Sequence, residues 1–211
     1  MRLYLVRHGE TDWNVLGRAQ GHTDMPLNDA GRVQAMRLAA ALERLKIGHI
    51  VCSDLLRCRQ TIAPFLERQN VPVEYRFDLR ERSFGNLEGQ PFTELQPRLR
   101  AIAEREGLDL TETRPPNGES FNDVWRRLDR VVAELATESR PTVVVTHGGT
   151  GTVLLAKLLH GSLLTARGFK LSNTGLCELE RTEDRYVLRR YNDTIHLLAG
   201  SGATSVAESG R

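Results

Sequence analysis

Four short apolar runs, each followed by polar strand-end residues, and several stretches with helical spacing constrain this chain more than any other feature. Residues 2–6, 49–52 and 71–77 and the segment Thr142–Thr146 read as strands, the Thr-Val-Val-Val-Thr run being the clearest. Val33, Met36, Leu38, Ala39, Leu42 and Leu45 follow an Asn28 or Asp29 cap at mostly helical intervals, and 55–68 and 151–159 also read as helices. Ser120-Phe121-Asn122-Asp123 has the form of a capping box, with Asp where Glu or Gln is commoner. It introduces Val124, Leu128, Val131, Val132 and Leu135, an apolar stripe for a helix lying on a sheet. Residues 176–180 and 186–191 read as a closing hairpin. Strand–helix alternation of this kind predicts a mainly parallel sheet covered on both faces, an α/β fold arranged as a three-layer α/β/α sandwich.

A length of 211 residues suits one large domain, assigned here to 1–198. Within it, 85–119 holds Pro91, Pro97, Pro115, Pro116 and a short, very polar helix, and reads as a lid-like or substrate-facing excursion. Residues 199–211, dominated by Gly, Ser, Ala and Thr with no apolar period, read as a disordered tail. A formal net charge of +2 gives no ground for a nucleic-acid or membrane surface. No apolar run approaches the ~18–20 residues that cross a bilayer. Charge interrupts the N-terminal apolar stretch too early for a signal peptide, so the expected location is the cytoplasm. Cys52, Cys58 and Cys177 show no paired CxxC spacing, which argues against a disulfide framework or a zinc site.

In open α/β sheets ligands bind beyond the carboxyl ends of the strands. After the first strand comes Arg7-His8-Gly9-Glu10; after the second, Ser53-Asp54 and then Arg57; after the third, Leu79-Arg80-Glu81-Arg82; after Thr142–Thr146, His147-Gly148-Gly149. Two histidines, several arginines and a carboxylate therefore converge on one edge. Such a set suits a phosphate monoester. Arginine offers a permanently charged fork to the non-bridging oxygens, and glycines let backbone amides approach closely. A neutral His8 can attack phosphorus with the ring nitrogen that is not tied to a carbonyl. Glu81 can protonate the departing oxygen, a contribution of roughly 10²–10⁴ in rate, and an arginine on the transferring group adds roughly 10³–10⁵.

Each residue also has a plainer explanation. His8 fits a hydrogen-bonded loop, Glu81 an ion pair with a neighbouring arginine, Gly148-Gly149 a turn opening a helix, and Asn14, Arg18, Gln20 and His22 a solvated loop. Those explanations must all hold together, and none accounts for the shared edge. Other classes fit less well. A GxGxxG fingerprint starting at Gly149 fails at Leu154, and no GxxxxGK[ST] exists. Only four residues separate Cys52 from Arg57 where a Cys-x5-Arg loop needs five, so Cys52 reads as a small core residue. Asp12, Asp24 and Asp54 form no metal-ligand pattern. A phosphate-binding module without catalysis is disfavoured because nucleophile and acid are both present.

The segments Leu5-Val6-Arg7-His8-Gly9-Glu10-Thr11 with Asn14, Arg18-x-Gln20-Gly21, Ser53-Asp54-Leu55-x-Arg57-x-x-x-Thr61, Glu81 with Phe84-Gly85 and Glu88-Gly89, Gly118-Glu119-Ser120 and Thr146-His147-Gly148 resemble, in order, the histidine phosphatase superfamily in its phosphoglycerate-mutase-like branch. The resemblance implies that His8 is the phosphorylated nucleophile, that Arg7, Arg57 and a protonated His147 complete the phosphate pocket, and that Glu81 is the proton donor and acceptor. It further implies that Asn14 binds phosphate, that Gln20-Gly21 line the rim, and that no metal or cofactor is needed. Gly148 joins the expected substrate contacts. Arg18-Ala19-Gln20-Gly21-His22 and the ending Asn192-Asp193-Thr194-x-His196-Leu197 are similar to the broad-specificity phosphatase subgroup. The short stretch after Glu88-Gly89, with only scattered Arg98, Arg100 and Arg105, lacks the paired-Arg and Lys clamp of the cofactor-dependent phosphoglycerate mutases, which are the alternative reading. The expected partner is a small phosphorylated metabolite, with no nucleic acid and no membrane; a homodimer stays open.

Overall fold

The computed structural model describes residues 1–183 and 185–198; the 199–211 segment expected as a tail lies outside the described residues. Six strands form one sheet: β1 (Arg2–Arg7), β2 (His49–Ser53), β3 (Val73–Arg76), β4 (Thr142–Thr146), β5 (Leu176–Arg181) and β6 (Tyr186–Asp193), in the order β3-β2-β4-β1-β5-β6. β4 is buried along its whole length and pairs in parallel with β1 (Leu5 opposite Val144) and with β2 (Val51 opposite Val144). β3 continues the parallel set beside β2, while β5 and β6 are the antiparallel hairpin attached to β1.

The helices are α1 (Asp12–Val15), α2 (Asp29–Leu42), α3 (Leu56–Leu66), α4 (Phe92–Glu106), α5 (Phe121–Thr137), α6 (Gly148–Leu158) and α7 (Leu163–Arg167). Successive side chains of a strand point to opposite faces, and β1 shows what that does. Leu3 and Leu5 pack with Val124, Leu128 and Leu155 of α5 and α6, whereas Tyr4 and Val6 pack with Leu38, Leu42, Ile62 and Phe65 of α2 and α3. Each such side chain removed from water contributes roughly 1.5–3 kcal/mol, so the sheet is fixed from both sides. The three-layer α/β architecture follows.

Several elements differ from the sequence expectation. The third strand is shorter than 71–77 because the chain turns into a single 3-10 turn at Phe77–Leu79. α6 begins at Gly148, three residues earlier than its apolar period indicates. The polar excursion holds a helix of 15 residues, closed by Gly107 in the left-handed conformation. α4 is amphipathic on a narrow stripe: Leu95 and Leu99 pack on Ala19, Phe84 and Leu87 in a small separate cluster. The two shortest helices, α1 and α7, were not evident from apolar periodicity, yet each starts with a capping box, Thr11 with Asn14 and Ser162 with Thr165. The Ser120–Asp123 box forms as expected, and Asn28 is the cap of α2. Among the described residues no helix is long and apolar enough to cross a membrane.

The first turn of α2 lies directly against the chain leaving β1. A methyl group on Gly31 would stand 2.1 Å from the Glu10 carbonyl oxygen, and one on Gly9 would stand 2.8 Å from the Gly31 carbonyl oxygen. Neither backbone can yield without moving the other. Gly31→Ala is therefore expected to cost about 1–3 kcal/mol and to lower the melting temperature by several degrees; an unchanged melt would mean the close approach does not exist in solution.

Candidate active site

β1 ends at Arg7, and His8 follows in a loop held on every side. His8 donates its amide to the Thr146 carbonyl (2.9 Å), and its own carbonyl accepts from Asn173 Nδ2 (3.0 Å) and from the Thr174 amide (3.3 Å). The Gly9 amide donates to Thr61 Oγ1 on α3 (2.9 Å), so it serves the scaffold. His8 Nδ1 lies 2.7 Å from the Gly9 carbonyl oxygen. A carbonyl can only accept, so Nδ1 carries the proton and Nε2 keeps its lone pair. Burial, reinforced by Arg57 and Arg7, holds the His8 pKa well below the ordinary imidazole value. The ring is neutral, with the Nε2 lone pair uncommitted to a proton.

Arg57 is fully buried and almost fully committed. It donates Nη1 to the Thr23 carbonyl (2.9 Å), Nη2 to the Gly21 carbonyl (2.8 Å) and Nε to His147 Nδ1 (3.1 Å). The guanidinium N–H cannot accept, so His147 Nδ1 must be unprotonated, and Nε2 then faces Ser53 Oγ at 2.8 Å as a donor. Burial first, and Arg57 next, push the His147 pKa well below its ordinary value. His147 is thus neutral, where the family resemblance implies a protonated ring; burial, and then the cation bonded to its Nδ1, are the physical reasons. The His8 and His147 ring centroids are 5.2 Å apart.

Arg7 donates Nη1 to the Leu171 carbonyl (2.7 Å), but its Nε is buried with no hydrogen-bond partner, and so is Gln20 Oε1. Glu81 accepts from the Gly149 amide, the Thr150 amide and the Arg82 amide, each at 2.9 Å, and from Thr150 Oγ1 at 3.2 Å. Its carboxylate therefore sits on the N-terminus of α6, where the helix dipole favours negative charge. A side chain at position 149 would place a carbon 2.7 Å from Glu81 Oε1, so the glycine makes room for that carboxylate. Neither flanking arginine pairs with Glu81. Arg80 grips Asp54 through two 2.7 Å bonds, and Arg82 donates to the carbonyls of Glu119 (2.7 Å) and Thr113 (3.1 Å).

Arg7, His8, Asn14, Gln20, Arg57 and Glu81 line one cleft of about 330 Å³, together with Gly148 and Gly149. His147 and Gly21 are outside this lining, and both bond to Arg57. Cys52 belongs to the core beneath α2 and α3, and burial raises its thiol pKa well above the usual range. The neighbouring Cys58 is pushed up to about 12. Neither is an activated thiolate. Among the described residues, no three His, Cys, Asp or Glu side chains gather as a metal centre would require.

Five supporting residues had no role from sequence reasoning. Asn173 bridges the His8 carbonyl and Asn14 Oδ1 (3.2 Å), while Thr11 also donates its amide to Asn14 Oδ1 (3.1 Å), so the Asn14 amide nitrogen is left for the cleft. Arg127 holds the carbonyls of Asp78, Arg80 and Glu81. Ser53 and Thr61 were visible only as motif letters. The C-terminal Asn192 and His196 brace the same region: Asn192 Oδ1 accepts from the Ser172 amide (2.8 Å), and His196 Nε2 pairs with Thr174 Oγ1 (3.1 Å).

The two buried neutral histidines link stability to pH. In the unfolded chain imidazole titrates near ~6.5, and in the fold both values lie lower, so the unfolded state takes up protons first as pH falls. Stability fully present above about 6.5 is then lost as pH descends toward the folded values. In phosphate-free buffer the melting temperature should fall between pH 7 and 5, with a shallower slope in His8→Gln; identical slopes would contradict the buried neutral ring.

A sequence model of the histidine phosphatase superfamily (branch 1) matches residues 3–194. A Schizosaccharomyces pombe protein named "Probable phosphatase" is 36% identical over 195 residues, covering 87% of this chain and 88% of its own length. A Yersinia pestis protein named "Probable phosphoglycerate mutase" is 32% identical, covering 93% of this chain and 95% of its own. Among solved structures, the α-ribazole phosphatase of Shigella flexneri superposes with a TM-score of 0.83 at 28% identity, over 92% of this chain and 96% of that one. A mycobacterial glucosyl-3-phosphoglycerate phosphatase in complex with VO3 gives 0.79 at 32% identity, over 92% and 99%. The matched span runs from β1 to just past the end of β6, and the chain belongs to the histidine phosphatase superfamily, branch 1.

Proposed function

We propose that this protein is a metal-independent phosphomonoester hydrolase that passes the phosphoryl group of a small phosphorylated metabolite to His8 and then to water. The observation that carries this reading is the buried, unpartnered Arg7 Nε in the cleft where the neutral His8 also stands. A buried donor without an acceptor costs about 1–3 kcal/mol, more when charged, and a phosphoryl oxygen supplies the acceptor. In this mechanism Arg7, Arg57 and Asn14 hold the non-bridging oxygens, with Gln20 at the rim and Gly148 as a further contact. The monoester enters as a monoanion and passes its proton to the Glu81 carboxylate; His8 Nε2 attacks phosphorus, and as the P–N bond forms the ester P–O bond breaks and Glu81 hands that proton to the departing alcohol. Water then attacks the phosphohistidine, Glu81 takes its proton, and the P–N bond breaks to return neutral His8 and free phosphate. His147 acts through Arg57, aligning the guanidinium from behind. Preorganised donors of this kind need no reorganisation as charge develops.

Two observations support hydrolysis. Relatives named or solved as phosphatases cover most of the chain. From α4 only Phe92 and Gln96 line the cleft, while Arg98, Arg100 and Arg105 are exposed elsewhere. The mutase reading is favoured by the name of the Yersinia relative and by Arg18 and Lys170 at the cleft wall, cations that lie outside the segment where a clamp was sought. One steady-state panel separates them: 3-phosphoglycerate with its bisphosphate cofactor should release inorganic phosphate faster than it isomerises, unaffected by EDTA. Isomerisation outpacing release would make the protein a mutase, and strong EDTA inhibition would remove metal independence. In the same panel Glu81→Gln should lose roughly 10²–10⁴ in turnover on alkyl phosphates while sparing p-nitrophenyl phosphate, whose leaving group needs little protonation; equal losses would deny Glu81 the acid role.

A further inference from the structure

The lining of the cleft also holds four aromatic rings. Phe84, Phe92, Phe121 and Phe169 all line it, and they come from four separate segments: the residue before the Gly85–Leu87 turn, the first residue of α4, the first residue of α5, and the loop after α7. Phe92 is 45% exposed, although a core was available to α4 through Leu95 and Leu99. Phe84 and Phe92 meet edge to face with centroids 5.9 Å apart. Arg82 lies 4.4 Å over the Phe121 ring and 5.5 Å from that of Phe84, with its guanidinium already donating to two carbonyls. Phe84 is buried and Phe121 and Phe169 are half-buried, yet all four rings share one cleft lining with converging polar groups, which has the character of a ligand wall.

Charge and hydrogen-bonding capacity narrow the occupant further. Beyond Arg7 and Arg57, the lining holds Arg18, Arg82 and Lys170, against the single carboxylate of Glu81. A cationic leaving group therefore meets like charge. Thr152 Oγ1 donates to the Gly149 carbonyl (2.8 Å), and Arg18 Nη1 donates to the Gly89 carbonyl (2.9 Å). Both groups are thus already partly committed within the protein, and a hydroxyl desolvated here without a partner is penalised. A volume of about 330 Å³ stands at the lower end of the ~300–1,000 Å³ range of small-molecule sites.

Resting on the hydrolase reading above, we infer that the cleft selects phosphomonoesters whose alcohol carries a flat apolar group and no positive charge. The aromatic wall takes the ring of the leaving group while the phosphoryl group reaches Arg7 and His8.

The test compares three esters of primary alcohols, so that leaving-group basicity stays similar: 2-phenylethyl phosphate, glycerol 3-phosphate and phosphocholine. The expected order of kcat/KM follows that sequence, with 2-phenylethyl phosphate ahead of glycerol 3-phosphate by about tenfold or more, the scale on which apolar pockets discriminate. Phe92→Ala and Phe169→Ala should each lower the ratio of the first two values by about tenfold. Equal kcat/KM for the three esters, a preference for glycerol 3-phosphate or phosphocholine, or a ratio unmoved by both variants would overturn the specificity while leaving the hydrolase reading intact. Failure to hydrolyse any of the three would contradict the hydrolase reading and the specificity together.

Discussion

The parallel pairing of β4 with β1 on one side and β2 on the other is the constraint from which the rest of this structure follows. Parallel strands send their chains out at the same edge. His8, Arg57 and His147 therefore leave the sheet as neighbours although 49 to 139 residues of sequence separate them. β4 makes this possible by being apolar enough to be buried along its full length, with Val144 committed to one face of the sheet and Val143 and Val145 to the other.

At that edge the protein manages several charges in little water. Removing an ion from water costs several kcal/mol unless bonds replace its hydration. Arg57 meets that demand with two carbonyls and an imidazole, Glu81 with three amides and a hydroxyl at the head of α6. Arg7 is incomplete, with a buried Nε left unpaired. The two histidines are kept neutral first by burial and then by the same arginines that an anion would use. The pocket is thus positive and rich in donors.

Local chemistry made part of this legible in the chain itself. Thr142–Thr146 and the Ser120–Asp123 capping box depend on near neighbours, and both form as read. α4 was harder, because Leu95 and Leu99 form a narrow stripe whose partners, Ala19, Phe84 and Leu87, are distant or loop-borne. Glu81 between two arginines looked like an ion pair from its neighbours alone; only the fold brings the head of α6 to its carboxylate and sends Arg80 to Asp54. Asn173 carries no periodic or motif signal, since its whole effect is one amide reaching His8 and Asn14 across the sheet edge. The charge state of His147 depends on which nitrogen meets Arg57, a detail that no spacing contains.

The central claim is that His8 Nε2 takes the phosphoryl group. Its most direct test is a rapid quench with a labelled phosphomonoester followed by site mapping of the trapped protein. The account predicts label on His8 that is lost in acid, survives alkali and is absent from His8→Ala. Label that survives acid, or that persists in His8→Ala and disappears in Cys52→Ser, would contradict it.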